Sequence, residues 1–286
     1  MGLEFTPLHP LFAAEARGVD LRTVEDRATL DAIRAGMDTY GVLVFRNQPL
    51  TDAEQLAFAQ RFDGTLHTKT GVAALTKNRF GNEALTDISN VDETGALLPA
   101  DDRRRHYGLA NRLWHTDASF ENPRGRYSLL STRVLPPAGA NTEFADMRAA
   151  WDALPAAMQD ELLGYTVHHS IAYSRQTLGF DFSAEELDKL RGAVHPLVNL
   201  NPVTGRRSLY LASHASRINE LSLPEGRLLL RELMEHATQP RFVFSHTWAD
   251  GDLVIWDNRA TMHRARPFED YKHRRELRRV TTLDIH

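Results

Sequence analysis

Hydrophobic positions recur with two periods along this chain, and the change from one to the other predicts a mixed first quarter followed by short strands. Leu30, Ile33 and Met37 stand at helical spacing over 25–40, and the apolar run from Gly41 to Phe45 predicts a short strand ending in the turn-like Arg46-Asn-Gln-Pro49. Thr51-Asp-Ala-Glu54 has the form of a capping box ahead of Leu56, Phe58, Ala59 and Phe62, so a second helix is expected to start at Thr51. From Gly64 to Ala110 the pattern is irregular, broken by Gly71, Gly81, Gly95 and Pro99, and only Leu85 to Val91 hints at extended chain. A stretch this long with little regular structure is either a functional lid, here 64–110, or disorder.

Beyond His115 the pattern turns to strands, expected over 127–135, 142–144, 164–169, 208–211, 241–248, 252–256 and 278–283. Helices are expected over 147–154, 183–190 and 224–238. Short strands with helical insertions predict a mostly β fold with a double-stranded β-helix, or jelly-roll, core whose mouth is a natural small-molecule site. One domain covering 1–286 is expected.

Composition narrows the function. A chain of 286 residues with 42% hydrophobic content can bury a substantial core. A net charge of -4 leaves no electrostatic footprint for nucleic acid, and no apolar run approaches the length of a membrane span. With no cysteine, a metal must be held by nitrogen and oxygen. The N-terminus lacks an export signal, so a cytoplasmic protein is expected; a homo-oligomer is expected as well.

The candidate chemistry lies in Trp114-His-Thr-Asp117 and in His263 with the arginines beyond it. His115 and Asp117, at i and i+2, leave the same face of a strand. His263 would complete two histidines and a carboxylate, the set that non-haem Fe(II) oxygenases use while keeping three metal positions open. One His-x-Asp is unsurprising among 13 histidines, so weight rests on the ensemble. Arg274 and Arg278 would share one strand face, with Arg275 and Arg279 on the other, and two inward guanidiniums require an anionic partner. His168 and His169 face opposite ways, His214, His236 and His246 read as structural or surface histidines, and Lys69 and Lys77 in the expected lid read as solvated, with substrate contact the alternative.

At this point the sequence resembles the Fe(II)- and 2-oxoglutarate-dependent taurine dioxygenase family. The resemblance is carried by Trp114-His-Thr-Asp-Ala-Ser-Phe120, Leu135-Pro-Pro-Ala-Gly-Ala-Asn-Thr-Glu-Phe144, Asp146-Met-Arg-Ala-Ala-Trp151, Trp256-Asp-Asn258, His263 and Arg274, and it spans nearly the whole chain. Within the family it is greatest toward members that hydroxylate aryloxyacetates such as 2,4-dichlorophenoxyacetate, an activity of aromatic herbicide degradation. The resemblance implies Fe(II), 2-oxoglutarate and dioxygen as cofactor and cosubstrates. His115, Asp117 and His263 would be the catalytic metal ligands, Thr142 and Arg274 would bind the distal carboxylate of 2-oxoglutarate, and Arg278 would grip the substrate anion, with Asn111 a further substrate contact or a plain turn residue. It implies products of a phenol, glyoxylate, succinate and CO2. The alternatives are a taurine, sulfonate or other aromatic-acid dioxygenase of the same family, or a catalytically silent jelly-roll binding protein.

Overall fold

The computed structural model describes residues 2–68 and 79–285. The helix expected over 25–40 is α1 (Arg27–Tyr40), capped by the Asp26 carboxylate on the Thr29 N–H, and α2 (Asp52–Asp63) begins at the expected Thr51–Glu54 capping box. Their apolar faces cover one side of a sheet that, among the described residues, has seven strands in the order β1 (Glu4–Pro7), β2 (Ala14–Arg17), β3 (Val42–Phe45), β13 (Leu253–Asp257), β5 (Gly125–Val134), β15 (Glu276–Leu283) and β4 (Thr86–Ser89). The sheet is mixed: β2 and β3 run parallel and the other pairs antiparallel. Strands β1 and β2 carry too few apolar residues to announce themselves in the sequence, and β4 is the extended segment expected near Leu85 to Val91.

Side-chain alternation assigns the two faces of this sheet. Leu43, Phe45, Leu129, Leu253, Ile255 and Val280 join Ile33, Met37, Phe58 and Phe62 beneath the helices. The alternate residues Val42, Val44, Leu130, Val254, Trp256 and Leu277 meet Phe144 from a second sheet, ordered β12 (Val243–His246), β6 (Thr142–Asp146) and β14 (Thr261–Ala265). Both faces are covered, so β3 and β13 are buried at every position. Each fully buried Leu, Ile or Phe contributes about 1.5–3 kcal/mol relative to an exposed one.

The far side of the second sheet packs, through Ala145 and Met262, on α4 (Met147–Asp152), α5 (Ala156–Leu162) and α8 (Leu223–Ala237). That layer is extended by two small sheets, β11 (Ala215–Ile218), β7 (Thr166–His169) and β8 (Ala193–Pro196), and β10 (Arg207–Leu209) with β9 (Val198–Leu200). Among the described residues three further helices, α3 (Arg103–Gly108), α6 (Ile171–Gln176) and α7 (Ala184–Lys189), lie in the connections; α3 falls in a segment whose composition reads as irregular. Among the described residues no helix is long and apolar enough to cross a membrane.

Candidate metal centre

His263 lies on β14, where its register partner is Phe144 on β6, and its ring packs on Trp256 with centroids 4.5 Å apart. His115 is not in a strand; it makes a single antiparallel bridge to His263, which brings their rings to 4.2 Å between centroids. Asp117 follows where the chain turns. Ala118 beyond it has φ 51°, and Gly125 on β5 lies so close that a Cβ there would be 2.8 Å from the Asp117 carbonyl oxygen. A side chain at Gly125 would therefore push this turn away.

Two polar residues fix the carboxylate. The Asp117 N–H donates to Asn258 Oδ1 at 3.0 Å and Ser128 Oγ donates to Asp117 Oδ2 at 2.8 Å. Asn258 Nδ2 donates to Ser128 Oγ at 2.9 Å, and the Trp256 indole N–H donates to Asn258 Oδ1 at 3.0 Å. Neither Ser128 nor Asn258 was legible as a positioning residue, because their contacts, 11 and 141 positions from Asp117, form only in the folded chain.

One ligand atom each from His115, Asp117 and His263 lies within 4.8 Å of the others, with His115 Nε2 3.9 Å and His263 Nε2 3.7 Å from Asp117 carboxylate oxygens. His115 Nδ1 is 2.8 Å from the Leu113 carbonyl oxygen, which can only accept, so the proton sits on Nδ1 and the lone pair of Nε2 faces the other two groups. Burial pushes the His115 imidazole down to about 4 and His263 well below its ordinary value, so both are neutral donors at pH 7. Burial raises the Asp117 carboxyl, but Arg279, the two imidazoles and Ser128 outweigh it and hold it at about 2. Two neutral nitrogens and one anionic oxygen fit a divalent transition ion. All three side chains are buried.

Two members of the cluster, His115 and Asp117, line a cavity of about 310 Å³, together with Tyr107, Phe120, Ile171, Arg275 and Arg279. Here the expected arginine assignment is corrected. Arg274 precedes β15, its side chain is 50% exposed, and it pairs with Glu276. Arg278 faces the helix layer, over the Phe80 ring at 3.9 Å and 3.3 Å from Asp87. Neither lines the cavity; Arg275 and Arg279 do. The cause is strand parity: Leu277 packs between the sheets, so Arg279 and Thr281 share its inward face, whereas Arg278 and Val280 face the helices. Both faces of β15 are buried, so hydrophobic alternation could not arbitrate from the sequence.

Arg279 forms an ion pair with Asp117. Arg275 pairs with no carboxylate among the described residues. Its guanidinium donates to the Ala140 carbonyl at 3.4 Å, its N–H donates to Asn90 Oδ1 at 2.8 Å, and burial pushes its pKa down to about 10. Thr142 is buried on β6, two residues from Ala140 and paired with Ala265, and its hydroxyl oxygen accepts from the Trp248 indole at 3.1 Å. It is not among the cavity-lining residues, although Ala265 is. Asn111, half-buried on the 3-10 turn Leu109–Arg112, does line the cavity. So do Ser89, Asn90, Leu98 and Gly108 of the expected lid. Lys69 and Lys77 lie outside the described residues.

His168 and His169 face opposite ways, as strand neighbours should, and His246 is 3.1 Å from Asp252. His214, read as a structural or surface histidine with a pocket position as the alternative, lines the cavity.

Comparison with known proteins agrees with this geometry. Residues 4–281 match the model of the taurine catabolism dioxygenase TauD, TfdA family. The chain is 46% identical over 285 residues to an alpha-ketoglutarate-dependent 2,4-dichlorophenoxyacetate dioxygenase of Cupriavidus pinatubonensis, covering 99% of each chain. It is 34% identical over 275 residues to an (S)-phenoxypropionate/alpha-ketoglutarate-dioxygenase of Sphingobium herbicidovorans, covering 93% of this chain and 90% of the relative. The crystal structure of AAD-2 with Mn(II) and N-oxalylglycine superposes with a TM-score of 0.91 at 41% identity, over 100% of this chain and 98% of that one. On these findings the chain belongs to the taurine catabolism dioxygenase TauD, TfdA family.

Proposed function

We propose that this protein is an Fe(II)- and 2-oxoglutarate-dependent dioxygenase that hydroxylates an aryloxyacetate such as 2,4-dichlorophenoxyacetate. The observation that carries the reading is a two-histidine, one-carboxylate cluster, of which His115 and Asp117 line one cavity together with a buried guanidinium, Arg275, that has no carboxylate partner among the described residues. The 46% identity to a 2,4-dichlorophenoxyacetate dioxygenase supports the substrate class.

In this reading His115, Asp117 and His263 hold Fe(II). When bound, the iron and 2-oxoglutarate supply the oxidising power, with succinate and CO2 as by-products. Arg275 anchors the distal carboxylate of 2-oxoglutarate through charge-assisted hydrogen bonds, with Thr142 beside it on the inner face. Asn90 holds the Arg275 backbone in place. Arg279 takes the substrate carboxylate, and Phe120, Ile171 and Tyr107 offer apolar surface to the ring, with Asn111 a further contact. Gripping the anion sets which carbon is presented for reaction. One oxygen atom enters the C–H bond beside the ether oxygen, and the resulting hemiacetal collapses to a phenol and glyoxylate.

The same reading includes a double-stranded β-helix core built from the two facing sheets, one domain over 1–286, a lid over 64–110, of which 69–78 lie outside the described residues, a homo-oligomeric state and a cytoplasmic setting. An enzyme reconstituted with Fe(II) and 2-oxoglutarate should release succinate in proportion to phenol when given 2,4-dichlorophenoxyacetate. Turnover of taurine or another sulfonate, with none of any aryloxyacetate, would replace the substrate assignment.

A further inference from the structure

Arg175 on α6 is a second buried cation of the same cavity that the reaction as described leaves unused. The residue is 5% exposed and lines the cavity together with His115, Asp117 and Arg279. It has no carboxylate partner among the described residues, and its Nε is buried without a hydrogen bond. Its guanidinium lies over the Tyr107 ring, 4.7 Å from the centroid. Nη1 donates to Ser174 Oγ at 2.8 Å and to His214 Nε2 at 3.2 Å.

The contact with His214 fixes a direction. A guanidinium can only donate, so His214 Nε2 accepts and its proton sits on Nδ1, which donates to Ser119 Oγ at 3.1 Å. Ser119 Oγ is in turn 3.0 Å from His169 Nδ1. A buried chain of three side chains thus orients Arg175, and none of them can neutralise it.

Arg79, Arg104, Arg105, Arg112 and Arg266, which also line the cavity, each pair with a carboxylate, and Arg175 differs from the two remaining arginines as well. Arg275 is accounted for by the cosubstrate, and Arg279 already faces Asp117. Arg175 and Arg279 are near enough to repel one another, and Arg175 also feels Asp117, which is shared among two imidazoles and Arg279. A desolvated cation without a counterion is unfavourable, and a substrate carboxylate between Arg175 and Arg279 supplies Arg175 with the counterion that Asp117, already paired with Arg279, does not.

We infer that Arg175 is a substrate-binding residue, a second guanidinium that closes on the carboxylate of the aryloxyacid beside Arg279. The inference rests on the aryloxyacetate reading. Together the two side chains offer more N–H donors than one carboxylate can accept, so the site selects for charge as well as for shape.

The test compares 2,4-dichlorophenoxyacetate with its uncharged amide on the wild type, Arg175→Gln and Arg175→Lys. Titration calorimetry against the Fe(II)- and 2-oxoglutarate-loaded protein without oxygen reads binding, and aerobic assays read KM and kcat. Arg175→Gln should weaken binding of the acid by about ten- to a hundredfold, the scale of one charged hydrogen bond. The amide and 2-oxoglutarate should each bind within about twofold of the wild type, and Arg175→Lys should recover part of the loss. A merely structural role would weaken acid and amide together, and that result overturns the inference, as does unchanged affinity for the acid. If Arg175→Gln loses its circular dichroism signal, the lysine variant carries the same comparison: selective weakening of the acid supports the inference and equal weakening overturns it. Failure of the wild type to bind or turn over any aryloxyacetate would sink the aryloxyacetate reading and this inference with it.

Discussion

His115 and His263 exchange both backbone hydrogen bonds, His115 N–H donating to the His263 carbonyl at 3.0 Å and His263 N–H to the His115 carbonyl at 2.8 Å. The approach of the two segments is therefore set by main chain and survives loss of either ring. His115→Ala and His263→Ala should each keep the wild-type circular dichroism spectrum while losing Fe(II) binding and substrate-dependent succinate release. Asp117→Ala is expected to differ, because it strips Arg279 of its carboxylate and costs about 1–3 kcal/mol of stability. Chemical denaturation of the metal-free variants checks that contrast, and equal stability of the three would show that the Arg279 pair contributes nothing.

Asn258 accepts from the Asp117 backbone and the Trp256 indole with one oxygen and donates to Ser128 with its nitrogen. Asn258→Ala leaves two buried donors unpaired, at about 1–3 kcal/mol each. Fe(II) affinity should fall by about tenfold or more although Asn258 is not itself a ligand, as when the residues supporting a metal ligand are lost. Metal titration of Asn258→Ala that matched the wild type would remove it from the support of Asp117.

Gly125→Ala tests the close approach under Asp117. The added methyl would lie 2.8 Å from the Asp117 carbonyl oxygen and 3.1 Å from Thr281 Cγ2, and backbone does not give way cheaply. Overpacking of this kind costs about 1–3 kcal/mol, and here the displaced segment carries a ligand. Lower stability with weakened Fe(II) binding is expected; a loss of stability alone would mean that the turn moves without dragging the carboxylate.

What the sequence discloses here follows from how local each signal is. The Thr51–Glu54 capping box and the Leu30, Ile33, Met37 stripe involve neighbours within one turn, and both helices begin close to where those residues put them. His115 and Asp117 are two residues apart and were visible as a pair. The roles of Ser128 and Asn258 depend on contacts 11 and 141 positions away from Asp117, beyond the reach of local pattern. Arg274 against Arg275 is the harder case, since a one-residue shift in parity exchanges the cavity for the surface, and a strand buried on both faces offers no polar side to set the count.

Stability should fall in mild acid because of His169. Its ring is buried among His195 and Tyr210, and burial first, then His195, His168 and Arg124, push its pKa well below the ordinary value. The unfolded chain takes up a proton near the ordinary value of about 6.5 and the folded chain does not, so stability present above that pH is lost as the pH drops toward the folded pKa. The slope is about 1.4 kcal/mol per pH unit for one such histidine. Urea unfolding of the metal-free protein at pH 7.5 and 5.5 should show the loss, and His169→Gln should show a smaller one. Equal losses in both proteins would assign the acid sensitivity elsewhere.

Four alanine variants separate the cavity arginines from their neighbours. If Arg275 holds the distal carboxylate of 2-oxoglutarate, Arg275→Ala should raise the KM for 2-oxoglutarate by about ten- to a hundredfold, and Arg274→Ala should leave it nearly unchanged, because each charged hydrogen bond is worth about 1.5–3 kcal/mol and Arg274 is turned to solvent. Arg279→Ala should raise the KM for the aryloxyacid instead. Arg278→Ala should act on stability, since it removes a side chain buried over Phe80 and leaves Asp87 with a weaker partner set. Each prediction pairs a residue with its immediate neighbour, so charge and sequence position are matched and only the face of the strand differs. A rise in the 2-oxoglutarate KM for Arg274→Ala, with none for Arg275→Ala, would mean that β15 presents the opposite face when cosubstrate is bound.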